Sequence, residues 1–191
     1  MGFEQIKNKL DQYTLNIRST RTKGKLENIE KLGAESDFHF SSDYKCFISE
    51  YGECWIEDNV YTQLKEEPVW LDGEAVPVGL FYGLEQNKYD IRDVIKTYKE
   101  QLPEKIIPIA DADGGDQICL DVSELNQGKV YFWDHELRDG EQDLFLIADT
   151  FTEFIEGLFV VEEDEEDSET GAIDIQLSDD LLAMLKDINK D

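Results

Sequence analysis

Phe3, Ile6, Leu10, Tyr13 and Ile17 recur at steps of three and four, the spacing that lines one face of an α-helix. The chain is therefore predicted to open on an amphipathic helix. Ser19 to Lys25 is polar and basic and contains Gly24. Leu26, Ile29 and Leu32 predict a short second helix, stopped by Gly33. A third is predicted after Ser41-Ser42, which can cap it, with Tyr44, Phe47, Ile48 and Tyr51 turned inward and Gly52 at its end.

From Cys54 the pattern shortens to β-type runs around Trp55, Val60-Tyr61, Val69-Trp70-Leu71 and Val76 to Tyr82, punctuated by Asp72-Gly73 and Gly83. Asp90 then caps a predicted helix with Ile91, Val94, Ile95, Tyr98 and Leu102 on its inner face, ended by Pro103. Ile106 to Ala110, Gln117 to Val122 and Lys129 to Trp133 read as strands, joined by turns containing Gly114-Gly115 and Gly128; Leu144 to Ala148 reads as another. Thr150 and Glu153 fit a capping box for a helix that buries Phe151, Phe154, Ile155 and Leu158. Residues 26–161 thus predict an α+β domain with a largely antiparallel sheet, preceded over 1–25 by the amphipathic helix and its basic loop. Beyond it, Glu162, Glu163, Asp164, Glu165, Glu166, Asp167 and Glu169 repel one another, as expected of a solvated linker over 162–172. Leu181, Leu182, Leu185 and Ile188 form a stripe behind Ser178, Asp179 and Asp180, which predicts an amphipathic helix within 173–191.

Charge narrows the roles open to such a domain. The 191 residues hold 45 acidic and 18 basic side chains, a net charge of −27, of which −10 falls on residues 162–191 and −17 on the rest. A chain so negative repels polyanions, which argues against sequence-independent binding to nucleic-acid phosphates and against adhesion to anionic lipid. Its partners are expected to be basic or neutral. The longest uncharged stretch, Ala75 to Leu84, is 10 residues, whereas a membrane helix needs about 20. Charged residues interrupt the amino-terminal apolar positions, unlike a secretory signal. Cys46, Cys54 and Cys119 are an odd set without close pairs, as expected of reduced thiols in a cytoplasmic protein.

Catalytic signatures are missing. The chain has no Gly-x-Ser-x-Gly elbow, dinucleotide fingerprint or phosphate loop. Its two histidines, His39 and His135, read as ordinary polar residues near the surface or sheet edge. Carboxylates are too numerous for any pair to identify a glycosidase. The cysteine spacing does not suit zinc, and buried thiols are the expectation. Asp111-Ala112-Asp113-Gly114-Gly115-Asp116 begins like a calcium loop, but its sixth position is Asp116 and its twelfth is Val122, so a tight acidic turn between strands is expected instead. No catalytic residue, cofactor or metal site is assigned. Trp55, Trp70 and Trp133 are candidate interface anchors, with core packing as the commoner fate. Along Val130-Tyr131-Phe132-Trp133 alternation separates Val130 and Phe132 from Tyr131 and Trp133, and one face is expected to be available to a partner.

The ordered segments resemble the SUKH superfamily, named for immunity proteins and for a fungal cell-wall synthesis regulator. The resemblance is carried by Asp43-Tyr44-Lys45-x-Phe47-Ile48-x-x-Tyr51-Gly52, Phe81-Tyr82-Gly83-Leu84, Tyr89-Asp90-Ile91 and Leu102-Pro103. It continues through Ile107-Pro108-Ile109-Ala110-Asp111, Gly114-Gly115-Asp116, Cys119-Leu120-Asp121, Gly128-x-Val130-Tyr131-Phe132-Trp133-Asp134-His135-Glu136 and Ala148-Asp149-x-Phe151-x-x-Phe154. It spans Leu26 to Leu158 and omits both flanking segments. It implies an α+β fold with a central, mostly antiparallel sheet of about six strands and flanking helices. It also implies a binding role without catalytic residues: bacterial members are mostly cytosolic immunity proteins that neutralise a cognate toxin, often a nuclease.

The expected function is stoichiometric binding of a basic toxin domain. Candidate contacts are Asp111, Asp113 and Asp116 in the acidic turn, Glu136, Asp139, Glu141 and Asp143 further on, and the rings of Tyr131 and Trp133. The alternative is a regulatory scaffold of the fungal type, whose terminal helix, Asp179 to Ile188, docks a groove on a partner.

Overall fold

The computed structural model describes residues 2–18, 25–65, 75–137 and 142–161. The chain divides into two units, 1–161 and 162–191. The predicted linker and terminal helix fall in the second unit and lie outside the described residues, as do the loop 19–24 and the strand predicted at Val69-Trp70-Leu71.

The elements of the first unit are α1 (Gly2–Leu10), β1 (Leu15–Ile17), α2 (Lys25–Ser36), α3 (Ser42–Glu50), β2 (Cys54–Ile56), β3 (Val60–Thr62), β4 (Val76–Pro77), α4 (Ile91–Tyr98), β5 (Ile106–Asp111), β6 (Gln117–Asp121), β7 (Val130–Trp133), β8 (Leu144–Ala148), α5 (Phe151–Glu156) and β9 (Phe159–Val160). The fold is α+β. Strands β5, β6, β7 and β8 form an antiparallel meander in sequence order, and β6 is buried along its whole length. Its register sets Ile107 opposite Leu120, Ile118 opposite Phe132 and Phe132 opposite Phe145. The register shifts between Pro108 and Ala110, a bulge beside a residue that has no ladder donor to give.

The expected sheet of about six strands is reached in two pieces. Among the described residues antiparallel β1 and β2 join the meander through Phe81, which bridges Cys54 on one side and Ala110 on the other. A second small sheet has the order β4, β3, β9. Val76 to Tyr82 is therefore not one strand. Its backbone crosses between sheets: Val78 donates to Val60 (2.9 Å), Gly79 to Asp111 (2.9 Å), Phe81 to Cys54 (2.8 Å) and Tyr82 to Ile109 (2.9 Å).

The opening helix is shorter than its apolar stripe. Beyond Leu10 the Thr14 carbonyl accepts from Glu57 (2.8 Å) and the Thr14 amide donates to Asp58 (3.1 Å). These bonds draw the chain into β1, so Ile17 is a strand residue that reaches the same core by another route.

Two helix starts follow the sequence, but α2 runs through Gly33 to Ser36, and α4 ends at Tyr98, short of Leu102 and Pro103. Asp90 accepts from the Arg92 amide (3.0 Å) at the start of α4, and Thr150 accepts from the Glu153 amide (3.1 Å) at the start of α5. The Glu153 carboxylate reaches back to the Asp149 amide (3.0 Å). Ser41 stands at the N-cap of α3 without a side-chain cap bond. Asp43 instead ties α3 to α5 by accepting from the Thr152 amide (3.1 Å) and hydroxyl (2.7 Å).

Helices α1, α3 and α5 supply one face of the main core. Phe151 is its hub, with ring centroids 5.0 Å from Tyr44 and 5.0 Å from Phe47. Ile6 and Leu10 of α1 are fully buried in the same cluster, and α1 packs against α5. Leu102, Cys119 and Trp133 form a smaller cluster of their own, closed by Tyr98 of α4.

Candidate partner interface

The meander fixes where the acidic segments go. Strand β5 ends at Asp111 and β6 begins at Gln117, with Asp113 in the turn between them. Gln117 pairs with Trp133, and Trp133 with Leu144, so β7 leaves and β8 enters beside that turn. Asp111, Asp113, Asp116, Glu136 and Asp143 therefore gather at one end of the sheet. Asp139 and Glu141 lie outside the described residues.

These carboxylates are engaged in different ways. Asp116 accepts from the backbone amide (3.1 Å) and the Nδ1–H (2.7 Å) of His135, pinning the turn to the exit of β7. Asp143 accepts from the indole N–H of Trp133 (3.1 Å). Asp111 is half-buried and accepts from the Leu80 amide. Burial pushes its carboxyl pKa up, against that hydrogen bond, and the neighbouring charge of Asp113 pushes in the same direction. Asp113 and Glu136 are exposed.

The two candidate rings do not share one environment. Trp133 is only 3% exposed, with its ring 5.5 Å from that of Tyr98. It is not the available ring that strand alternation suggested, because α4 covers that face of β7. Tyr131 is half-buried.

Asp116, Asp134 and His135 place three ligand-type atoms within 4.8 Å of one another, the group of metal-ligating residue types that comes together among the described residues. Nδ1 of His135 is already bonded to Asp116. The arrangement is that of an ion pair joining a turn to a loop.

That ion pair predicts a pH dependence. Chiefly by accepting the Nδ1 hydrogen bond, Asp116 raises the His135 pKa above its ordinary 6.5. The folded state thus holds this proton more tightly than the unfolded chain does. Its stabilisation is complete below the ordinary value and is lost as pH rises through the raised one. Urea unfolding of wild type and Asp116→Asn between roughly pH 5 and pH 9 is expected to show the largest difference at the acid end. A difference constant across that range would exclude a stabilising charge pair.

Residues that sequence did not assemble lie beside Asp111. Trp55, Asp58, Tyr61, Pro77, Leu80 and Asp113 line, with it, a cleft of about 460 Å³. Trp55 had stood out as a possible anchor. Nothing in the spacing of positions 55, 61, 80 and 111 puts them together, because the crossing segment from Val78 to Tyr82 does so.

Residues 23–157 match the SMI1 / KNR4 family (SUKH-1). The chain belongs to this family. Every described candidate contact falls within the SUKH-1 segment, while α1 and β1 precede it and still enter its core. The chain is also 35% identical over 198 residues to YokK, an uncharacterized SPbeta prophage-derived protein of Bacillus subtilis strain 168. That similarity covers 96% of this chain and all of YokK, so it takes in both flanks of the SUKH-1 segment. Among the described residues no helix is long and apolar enough to cross a membrane.

Proposed function

We propose that this SUKH-1 chain is a non-catalytic, immunity-type protein that works in the cytoplasm and binds a basic toxin domain stoichiometrically. The observation that carries this reading is a net charge of −17 on residues 1–161, the part of the chain that contains the SUKH-1 segment. A nuclease draws phosphates into a positive cleft, and an acidic inhibitor is steered to the same cleft, with association rates up to roughly 10⁸–10⁹ M⁻¹s⁻¹ at low salt. Charge then brings the partners together, and a few buried anchors decide which partner stays. The gathering of Asp111, Asp113, Asp116, Glu136 and Asp143 at one end of the meander supports that end as the footprint.

The test is co-purification of the full chain with the basic carboxyl-terminal domain encoded by a neighbouring reading frame, at about 0.05 and 0.5 M salt. A one-to-one complex that suppresses the domain's activity, and that associates at least about tenfold more slowly at the higher salt, is the expected result. Failure to bind, or association indifferent to salt, would overturn the reading. Capture that required residues 162–191 would favour a scaffold acting through its terminal segment.

A further inference from the structure

We infer that the cleft walled by Trp55, Tyr61 and Leu80 receives one arginine side chain of the partner, an assignment that rests on the partner-binding reading above. The cleft has both parts of a guanidinium receptor. Its aromatic walls are Trp55 and Tyr61, both only partly buried, and aromatic faces attract a planar cation. Its carboxylates are Asp58, Asp111 and Asp113, and among the described residues no lysine or arginine lines it.

The guanidinium of Arg18 is directed to another acid. Arg18 lies over the Trp55 ring, 4.4 Å from its centroid, and its charge partner is the buried Glu53 at 3.7 Å. It does show that the Trp55 indole sits where a guanidinium can stack. Asp111 is fixed for the purpose: the Leu80 amide donates to its carboxylate, and the next residue back, Gly79, has no side chain because a Cβ there would overlap Asp111 Oδ1. A half-buried carboxylate held among like charges, with no cation among the described residues lining the cleft, is a preorganised acceptor, and a guanidinium there would offset the cost of its burial by charge and hydrogen bonding. Arginine fits better than lysine because its planar guanidinium can stack on a ring and donate two hydrogen bonds to a carboxylate in its own plane.

The experiment titrates two amidated tripeptides, Gly-Arg-Gly and Gly-Lys-Gly, into the ¹⁵N-labelled full chain and follows amide and indole shifts. Saturable shifts at Trp55, Asp58, Tyr61, Leu80 and Asp111 are expected with the arginine peptide, with the lysine peptide at least about fivefold weaker. Asp113→Asn removes an exposed carboxylate of the cleft, and is expected to weaken binding of the arginine peptide about fivefold. Equal response to both peptides, shifts centred on Glu136 and Asp143, or no saturation would overturn the inference. Cleft and partner readings fail separately. If the toxin domain is captured equally well by wild type and Asp113→Asn, the partner reading stands and the cleft assignment falls. If no basic domain is captured while the peptide result holds, the cleft stands and the immunity reading falls.

Discussion

Phe151→Ala is expected to destabilise the fold by about 3–5 kcal/mol, the cost of removing a buried phenylalanine together with the cavity it leaves. The ring is completely buried, and the rings of Tyr44, Phe47 and Phe154 all meet it. None of the three can turn into the void without leaving another contact, so the cavity stays open. Domains of this size are stable by only about 5–15 kcal/mol, so the variant should lose near-ultraviolet circular dichroism at a much lower urea concentration. Leu125→Ala is the control: that side chain is 95% exposed, and its loss should fall within about 0.5 kcal/mol of wild type. A Phe151→Ala cost below about 2 kcal/mol would show that the three rings collapse onto one another after all.

Gly83→Ala is expected to cost about 1–3 kcal/mol or more, through overlap and not through a void. A Cβ at this position would meet the backbone of Glu53, next to Cys54, the residue that bridges Phe81. Backbone cannot swing aside as a side chain can. The damage should therefore be local. Hydrogen exchange should speed up at the amides of Cys54 and Phe81, which bond each other's carbonyls, while the amides between β6 and β7 keep their protection. Uniform loss of protection across the meander would mean that the two pieces of sheet unfold as one.

Local chemistry made much of this architecture legible. Asp90 and the pair Thr150 and Glu153 announce their helices because each supplies an acceptor where free amides must be satisfied. Gln117 to Val122 reads as a strand from its own short apolar run between turns, and Gln117–Asp121 forms β6. Pairing that depends on distant residues was not legible. Ile17 continues the spacing of α1 but bonds with Cys54 of β2, and β9 exists only because Val160 finds Val60. Trp133 failed as a surface ring because its exposure depends on whether a helix crosses that face of β7, which alternation cannot say. The acidic candidates were picked by residue type, and the meander brings Asp111, Asp113, Asp116, Glu136 and Asp143 to one end. The aromatic half of the cleft had no such signal, since a crossing segment without regular pairing delivers Leu80 to the side of Asp111.

The seating of α1 also bears on the order of events during synthesis. Gln5 donates to the Glu156 carboxylate (3.0 Å), and the hydroxyl of Tyr13 donates to the Leu158 carbonyl (2.8 Å). Helix α1 thus waits for nearly the last turn of the first unit to be synthesised before its site is complete. At about 5–20 residues per second, that wait is on the order of ten seconds. Throughout it, Ile6 and Leu10 lack part of their packing and stay available to apolar contacts that the finished fold removes.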